Sequence, residues 1–350
     1  MNEAEELDTP AAVVDLDRLE RNLERWQQFC DRVGLANRPH VKTHKSVEIA
    51  RRQLELGAVG ITCQKLGEAE TMADAGIGDI LVSFNILGAA KLERLSALIA
   101  RAAVTVTADD EALLDGLDGA AGRAGRELPV LVDCDTGLGR TGVASPERAA
   151  ELAQAVARHS SLRFRGFFTY PAPPAARAFL EAAIAAAAQA GLDTEVVSVG
   201  GTPGMWDAEN SRPVATEWRA GTYAFHDRAT VAAGAADLDD VALTVRATVV
   251  SRPTSERAIL DAGSKVLSYD PGPDDRHGLI LEAPHSRIER LNEEHAYVQV
   301  APDEELELGQ QVRIVPNHAC VVSNLFDEFL LVRDGSVTGS TRVDARGRSR

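Results

Sequence analysis

The segment Arg38-Pro-His-Val-Lys42-Thr-His-Lys45 contains two lysines that are candidates for a covalent bond to a cofactor or substrate. The chain has five lysines, and arginine outnumbers lysine about six to one. A lysine amine can lose its proton and form a Schiff base with a carbonyl compound, whereas a guanidinium cannot. We therefore take Lys42 as the candidate for covalent chemistry. The alternative is that Lys42 and Lys45 are solvated lysines at a helix start and that His40 and His44 are ordinary loop histidines.

A glycine-rich segment, Ser198-Val-Gly-Gly-Thr-Pro-Gly204, is a candidate anion cradle. Glycines let backbone N–H groups approach an anion closely, and the hydroxyl of Thr202 adds a further donor beside Gly200 and Gly201. A glycine-rich loop alone is a weak signal. Arg140, in Asp135-Thr-Gly-Leu-Gly-Arg140, offers a cation, although it can equally cap a helix or pair with Asp135.

A third constellation, Val315-Pro-Asn-His318-Ala-Cys320, could bind a metal ion. If this segment is extended, residues two apart point to one side, so His318 and Cys320 would present an imidazole and a thiolate to one ion. Two protein ligands leave positions open for water or substrate, as a catalytic metal requires. A chance pair is the alternative interpretation. His295 is a further possible participant, and a surface turn histidine is the alternative for it.

Alternating strands and helices must position these residues. Intervals of roughly 20 to 35 residues suit one βα unit each, and eight such units favour a (β/α)8 barrel over an open sheet. No GxGxxG follows the first strand, which removes the best support for a dinucleotide-binding fold. The eight strands are predicted at residues 11–16, 39–43, 59–64, 80–85, 104–108, 129–135, 164–170 and 195–201.

The predicted pattern of secondary structure changes after residue 236, where strands follow one another without helices between them. We expect a barrel domain over residues 1–236 and a mostly antiparallel β domain over 237–350, with residues 1–10 as possible partners of the β domain. Strands are predicted at residues 241–250, 258–261, 279–281, 296–300, 311–315 and 328–332, separated by turn signals such as Asp270-Pro-Gly.

Chemistry in such a barrel collects at the carboxyl ends of the strands, and the unusual residues fall there. We therefore expect one site at this end of the barrel. Its predicted members are Lys42, Gln64, Arg140, Tyr170 and the segment from Ser198 to Gly204.

Composition excludes several other classes of function. A net charge of −16 argues against a nucleic-acid groove or an anionic membrane as partner. The sequence has no apolar run of about 18 residues, and its start is acidic where a signal peptide would be basic, so we expect a cytoplasmic protein. Four scattered cysteines without CxxC spacing suggest neither a disulfide framework nor a zinc ribbon.

Taken together, these motifs resemble one enzyme family. The phrases Thr9-Pro-Ala-Ala-Val-Val-Asp, Cys63-Gln-Lys-Leu-Gly-Glu-Ala, Asp135-Thr-Gly-Leu-Gly-Arg140-Thr-Gly-Val and Ala220-Gly-Thr-Tyr223-Ala-Phe-His-Asp join the Lys42 and His318 motifs, in chain order. They resemble the D-threonine aldolase and D-serine dehydratase family of fold-type III pyridoxal phosphate enzymes. The resemblance spans nearly the whole chain and is less specific for the reaction than for the family.

The resemblance implies an alanine-racemase-like barrel plus β domain, usually a homodimer, acting on a small D-3-hydroxy amino acid. Lys42 would carry pyridoxal 5'-phosphate, the Gly200-Gly201-Thr202 loop and the Tyr223 region would hold its phosphate, and Arg140 would lie beside its ring. His318 and Cys320 would bind a divalent metal, zinc or manganese.

Two lyase reactions are compatible with this resemblance. Retro-aldol cleavage gives glycine and an aldehyde, whereas β-elimination gives a 2-oxo acid and ammonia. In the aldolases of this family the metal motif resembles His-x-Asp, so the His318-x-Cys320 form favours a zinc-dependent dehydratase. The segment Asn324-Leu-Phe-Asp327 and the compact length of the chain favour an aldolase instead. Strand seven of the family usually ends with a Tyr or Cys followed by His-Gly, whereas in this chain Tyr170 is followed by Pro171 and Ala172, so the histidine beside the cofactor ring is missing.

Two further classes remain open. An amino-acid racemase needs a second base on the other cofactor face; no tyrosine motif in the β domain identifies one, and Tyr269 is the nearby candidate. A non-catalytic pyridoxal phosphate carrier normally lacks a β domain, so residues 241–343 argue against it.

Overall fold

The computed structural model describes residues 7–270 and 272–350. These residues divide into two compact units. The first unit contains residues 26–42, 49–221 and 348–350, and the second contains residues 7–25, 43–48 and 222–347. Each unit carries its own sheet.

Strands and helices alternate over the first two thirds of the chain. The elements are β1 (Ala11–Asp15), α1 (Leu16–Val33), β2 (Ala36–Asn37), α2 (Val47–Glu55), β3 (Ile61–Cys63), α3 (Leu66–Asp74), β4 (Asp79–Val82), α4 (Ala89–Ile99), β5 (Ala103–Ala108), α5 (Leu114–Ala124), β6 (Leu128–Cys134), α6 (Pro146–Ala157), β7 (Leu162–Thr169), α7 (Pro174–Gln189), β8 (Val196–Val199), a 3-10 helix (Thr202–Ser211) and β9 (Glu217–Trp218).

Short strands dominate the remainder. The elements are a 3-10 helix (Thr222–Ala224), α8 (Arg228–Ala232), β10 (Leu243–Thr254), β11 (Arg257–Leu260), α9 (Ser264–Leu267), β12 (Leu279–Ile280), β13 (Arg287–Leu291), β14 (Ala296–Gln299), β15 (Gln311–Val315), α10 (Ala319–Ser323), β16 (Glu328–Arg333) and β17 (Ser336–Arg342).

Eight parallel strands form the sheet of the first unit, in the order β2-β9-β8-β7-β6-β5-β4-β3. The two edge strands are joined by a parallel bridge between His40 and Thr62. The amide of Val41 donates to the carbonyl of Thr62 (2.9 Å) there, while the amide of His40 donates to the carbonyl of Ala220 (2.8 Å). The predicted (β/α)8 barrel is therefore confirmed.

Helix α6 shows how the sequence makes the outer layer of the barrel. Ser145 caps its first turn, since the side chain accepts a hydrogen bond from the amide of Arg148 (3.3 Å), and proline occupies the first helical position. Buried alanine, leucine and valine side chains recur at the helical spacing on one face: Ala149, Leu152, Ala153 and Val156. Their burial fixes which face of the helix turns inward.

One predicted barrel strand is wrong. Residues 11–16 were expected to form the first barrel strand, but β1 pairs antiparallel with β10 and parallel with β16 in the second unit. The eighth barrel strand is instead β9, a two-residue element that the hydrophobic pattern does not reveal. Both changes arise because local composition encodes a buried strand but not its partner.

The second unit contains a mostly antiparallel nine-stranded sheet with the order β13-β14-β11-β10-β1-β16-β17, to which β15 and β12 add through β10. Strand β10 is its longest member and alternates buried and partly exposed residues, as expected for a sheet with one buried face. The predicted β domain is thus present, with β13 and β17 as strands that the sequence did not indicate. Residues 1–10 were expected as possible partners of this domain, and residues 1–6 of that segment lie outside the described residues.

Among the helices in the described part of the chain, none combines the length and the apolar character needed to cross a bilayer.

Candidate functional site

Lys42 was expected to end a strand at residues 39–43, but β2 ends at Asn37, and Lys42 lies in the turn that follows the bridge at His40. Its backbone amide donates a hydrogen bond to Nδ1 of His40 (3.4 Å), and Lys42 is partly exposed. Nε2 of His40 lies 3.2 Å from Oε1 of Gln64 and 3.4 Å from the hydroxyl of Ser83, and Nε2 of Gln64 donates to the carbonyl of Ser83 (3.0 Å). The structure therefore joins the segment that carries Lys42 to Gln64 through His40.

The glycine-rich loop lies between two aromatic rings of the same unit. Gly200 has a φ of +78°, and a Cβ atom there would lie 2.2 Å from the ring of Trp218. A Cβ atom on Gly201 would lie 2.6 Å from the ring of Tyr170, while Nε1 of Trp218 donates to the carbonyl of Gly201 (3.0 Å). Both positions therefore require glycine, which keeps the backbone of this loop uncovered by side chains of its own.

Thr202 and Ser198 flank these glycines and are both buried. The hydroxyl of Thr202 accepts from the amide of Gly221 (3.2 Å). The hydroxyl of Ser198 donates to Oε1 of Glu217 (2.6 Å) and accepts from Nη1 of Arg219 (2.6 Å). Ser198 thus connects the loop to a buried carboxylate and a buried guanidinium.

Arg219 is a site residue that sequence reasoning missed. Its Nη2 donates to the carbonyl of Thr169 (2.7 Å), and the guanidinium lies 3.7 Å from the centroid of the Phe168 ring. Burial lowers the pKa of Arg219 to about 9, while Glu217 and Asp133 oppose that shift. The signal that could have found it is the Glu217-Trp-Arg219 run, two charged residues flanking a buried tryptophan just before a predicted site motif.

Asp133, at the end of β6, is a second missed residue. Burial raises the pKa of its carboxyl to about 6, although the hydroxyl of Thr141 donates to Oδ2 (2.9 Å) and lowers it. The carboxylate of Asp109 contributes to the rise and the guanidinium of Arg219 opposes it. A carboxyl that can hold a proton near neutral pH is therefore part of this barrel.

Arg140 lies over the ring of Tyr170, with the guanidinium carbon 5.5 Å from the ring centroid. Asp135 does not use Arg140 as its hydrogen-bond donor. Its carboxylate accepts from the amides of Gly137, Leu138 and Gly139, and these bonds hold the pKa of Asp135 below its usual value. The structure therefore brings Arg140, Tyr170 and Gly201 together.

A cavity of about 820 Å³ opens beside this loop. It lies where the β7–α7 connection faces the segment that follows β8. Its walls are mostly proline, glycine and aromatic residues, with one arginine and a few polar groups towards the 3-10 helix: Tyr170, Pro171, Ala172, Pro173, Pro174, Arg177, Gly200, Gly201, Pro203, Gly204, Asp207, Asn210, Ser211 and Trp218.

The second unit holds the predicted metal pair. His318 and Cys320 share a side-chain hydrogen bond that raises the pKa of the His318 imidazole to about 9, against the opposing effect of burial. Nδ1 of His318 also lies 2.6 Å from Oδ2 of Asp270. Within residues 7–270 and 272–350, no group of three or more His, Cys, Asp or Glu side chains is arranged to hold a metal ion.

The local backbone around this pair differs from the expectation. The segment was expected to be extended, but only His318 has extended dihedral angles, and Cys320 lies in the first turn of α10. At the start of this helix, Oδ2 of Asp227 accepts a hydrogen bond from the amide of Ala319 (2.9 Å) and so satisfies one of its unpaired N–H groups. The two side chains meet nevertheless.

Two threonine hydroxyls accompany the sulfur of Cys320. The hydroxyl of Thr43 lies 3.2 Å from Sγ and that of Thr222 lies 3.7 Å from it. Thr43 directly follows Lys42 in the chain. Nζ of Lys45 donates to Oδ1 of Asn324 (2.8 Å), so the second lysine of the motif is buried and hydrogen-bonded.

Two other predicted residues also lie in the second unit. Tyr223 is buried in the 3-10 helix Thr222–Ala224. His295 lies exposed in the turn between β13 and β14, whereas His318 and Cys320 lie between β15 and β16. The three remaining cysteines, Cys30, Cys63 and Cys134, are buried free thiols.

Comparison with known proteins agrees with the motif resemblance. The family described as alanine racemase, N-terminal domain, matches residues 14–229, and the putative serine dehydratase domain matches residues 242–332. A D-threonine aldolase from Arthrobacter sp. is 37% identical over 364 residues, covering 98% of this chain and 94% of that protein. A D-threo-3-hydroxyaspartate dehydratase from Delftia sp. (strain HT23) is 34% identical over 365 residues, covering 95% and 96%.

Solved structures extend the agreement to the fold. The crystal structure of D-threonine aldolase from Filomicrobium marinum superposes with a TM-score of 0.90 at 36% identity, covering 98% of this chain and 97% of that chain. The chain therefore belongs to the alanine-racemase-like family of D-threonine aldolases and D-serine dehydratases and is an enzyme of the lyase class.

Proposed function

We propose that this enzyme is a pyridoxal 5'-phosphate- and divalent-metal-dependent lyase that cleaves D-3-hydroxy amino acids to glycine and an aldehyde. The observation that carries the proposal is that this chain is similar to a D-threonine aldolase over nearly its full length and contains both Lys42 and the His318-x-Cys320 pair. Lys42 would supply an amine for a carbonyl cofactor, and His318 and Cys320 would supply metal ligands.

The barrel residues fit the cofactor. Gly200 and Gly201 let the backbone of the loop lie directly against the rings of Trp218 and Tyr170, and the N–H groups of such a glycine-rich loop suit a phosphate group. Lys42 would hold the carbonyl carbon of the cofactor through its amine. When bound, pyridoxal phosphate supplies an electron sink for the negative charge that develops on the substrate. The proposed cofactor residues are Lys42, Gln64, Arg140, Tyr170, Ser198, Gly200, Gly201, Thr202 and, from the resemblance, Tyr223.

Arg219 and Ser198 support this set from inside the barrel. Ser198 is held by Glu217 on one side and by Arg219 on the other, so its hydroxyl has a fixed direction. Arg219 remains a positive charge at neutral pH, because its pKa of about 9 lies above that value. A buried cation of this kind can stabilise negative charge that accumulates beside it during a reaction.

The second unit offers a metal donor set. An imidazole and a sulfur suit zinc better than manganese, because thiolate is a soft ligand. A divalent ion would act as a Lewis acid on the hydroxyl of the substrate. His318 uses Nδ1 for Asp270, and an ion at Nε2 would replace the hydrogen bond that His318 shares with Cys320. Thr43 places its hydroxyl on the sulfur of Cys320, where it can stabilise a thiolate.

Aldol cleavage needs a group that accepts the proton of the substrate hydroxyl. From the sequence we propose His295 as the second catalytic residue. Its place in an exposed turn makes the test simple. Unchanged turnover of D-threonine in His295→Ala would remove His295 from the mechanism.

β-Elimination is the second candidate reaction, and Cys320 is the observation that favours it. Lys42 would then remove the proton from Cα of the substrate, and the hydroxyl group would leave. The dehydratase from Delftia shows that both reactions occur among relatives of similar identity. Racemisation is the third candidate. The sequence suggested Tyr269 as its base. The hydroxyl of Tyr269 donates a hydrogen bond to the carbonyl of Leu291 (2.5 Å), and the residue is 61% exposed.

Product analysis separates these reactions. The purified enzyme, loaded with pyridoxal phosphate and either zinc or manganese, is incubated with D-threonine and with D-serine. We expect glycine and acetaldehyde from D-threonine. Formation of 2-oxobutyrate and ammonia instead would establish elimination, and formation of L-amino acid alone would establish a racemase.

The compartment and assembly belong to the proposal as well. We propose a cytoplasmic homodimer. The four cysteines are free in the structure, which suits a reducing compartment, and the homodimer follows the family resemblance. Light scattering coupled to size exclusion measures the assembly directly, and a mass of one chain would contradict the dimer.

A further inference from the structure

Asp270 is the carboxylate that contacts His318. Its Oδ2 lies 2.6 Å from Nδ1 of the imidazole, a distance typical of a strong, charge-assisted hydrogen bond. Histidines that bind metal ions usually donate their second ring nitrogen to a carboxylate or carbonyl, which fixes the tautomer and the ring direction. Since only two ligands come from this motif, the direction of each one has a large influence on the binding of an ion.

Asp270 lies in the connection between α9 and β12, so no regular element holds it in place. Asn317, the residue before His318, supplies that support. Its Nδ2 donates to the carbonyl of Asp270 (3.1 Å) and to the carbonyl of Arg276 (2.8 Å). Asn317 is 2% exposed, so these bonds are shielded from competing water.

Arg228 completes the arrangement. Its Nη1 donates to Oδ1 of Asn317 (2.6 Å) and its Nη2 donates to Oδ1 of Asp274 (2.8 Å). Gly272 lets the loop lie directly against the amide, since a Cβ atom there would be 2.8 Å from Oδ1 of Asn317. A buried guanidinium, an amide and two loop carboxylates therefore fix the loop around the metal motif.

We propose that Asp270 is a positioning residue that orients His318 for a divalent ion, and that Asn317 and Arg228 act on the ion through Asp270. The inference rests on the proposed metal site, and it adds a second set of residues with which that site can be tuned. Asp270 holds Nδ1 and raises the basicity of the ring, so Nε2 is presented to the ion in one orientation. Asn317 and Arg228 touch neither the ion nor the substrate in this account.

The metal affinity of the purified protein tests whether Asp270 positions His318. The dissociation constant for zinc is measured by competition with a chromogenic chelator, which needs no catalysis. Asp270→Ala should weaken zinc binding by about 10- to 100-fold, the usual cost of losing such a partner. Asp303→Ala is the matched control, because Asp303 makes a His285 contact of 2.8 Å on the exposed surface of the same unit. Its zinc affinity should equal that of the wild type.

His318→Ala separates this inference from the proposed function. If His318→Ala binds zinc as tightly as the wild type, the proposed metal site is wrong. If His318→Ala loses zinc while Asp270→Ala retains wild-type affinity, the metal site stands and the positioning role of Asp270 is refuted.

A double-mutant cycle tests whether Asn317 and Arg228 act on metal binding through Asp270. Asn317→Ala should weaken zinc binding, and the Asp270→Ala, Asn317→Ala double variant should bind no more weakly than Asp270→Ala alone, because both changes remove the same restraint. If Asn317→Ala does not fold, as judged by circular dichroism of the metal-free protein, the cycle uses Arg228→Lys, which retains the charge but not the paired geometry. Losses that add independently would overturn the role proposed for Asn317 and Arg228.

Discussion

Replacing Gly200 with alanine tests the cradle of the barrel site. The residue has a φ of +78°, and its Cβ atom would lie 2.2 Å from the ring of Trp218, which is 2% exposed. Left-handed backbone costs an alanine about 1–2 kcal/mol, and forcing an extra methyl group into a packed interior costs about 1–3 kcal/mol. We therefore expect a loss of about 2–5 kcal/mol in the free energy of unfolding.

Thermal unfolding followed by circular dichroism measures this loss. An unfolding entropy of roughly 2.1 cal/mol/K per residue, applied to 350 residues, converts it to a fall in Tm of about 3–7 °C. Because the loop must move away from Trp218, binding of pyridoxal phosphate should weaken as well, which an absorbance titration detects.

Gly204→Ala is the matched control within the same loop. Gly204 has a φ of −107°, and its Cβ atom would meet Trp218 at 3.9 Å, an ordinary contact distance. Its Tm and cofactor affinity should stay close to those of the wild type. If Gly200→Ala and Gly204→Ala behave alike in both measurements, the reasoning about the cradle is refuted.

Three further predictions concern titration and metal choice. Zinc affinity should increase as the pH rises towards 9, because the pKa of His318 is raised to about 9 and the imidazole must release its proton to bind the ion; calorimetry at three pH values checks this, and a flat profile would contradict it. Cys320→Asp should shift metal preference from zinc towards manganese, since oxygen is the harder ligand; metal analysis after loading from an equal mixture checks it. Asp133→Asn should stabilise the protein by up to about 3 kcal/mol at pH 8 and by little at pH 4, because the folded-state pKa is raised from 3.8 to about 6 and the stabilising effect of the protonated form is lost as pH rises through that window; urea unfolding at the two pH values checks the sign.

The barrel could be predicted because buried parallel strands read as apolar runs separated by amphipathic helices. The identity of its strands could not be predicted fully. Strand β1 has the same buried, β-branched composition as a barrel strand, and only its pairing with β10 and β16 distinguishes it. Strand β9 has two residues, Glu217 and Trp218, too few to produce a pattern.

Candidate residues that stand in a recognisable motif after a strand could be proposed from the sequence, as Lys42, Arg140 and the Gly200 loop show. Residues that act through long-range contacts were not predictable. Asp270 is 48 positions from His318, and nothing in the local sequence indicates their contact. Arg219 is likewise a common residue type whose burial in the barrel gives it its interest.

In the proposed metal-dependent lyase, Lys42 is the residue that binds pyridoxal phosphate covalently. Borohydride reduction of the loaded enzyme makes the link between a lysine amine and the cofactor permanent, and peptide mass spectrometry then locates it. We predict that the added mass lies on the peptide containing Lys42, that it is absent from Lys42→Ala, and that Lys42→Ala keeps the circular dichroism spectrum of the wild type. Modification of Lys45 instead, or an unmodified protein that still consumes D-threonine, would contradict the account.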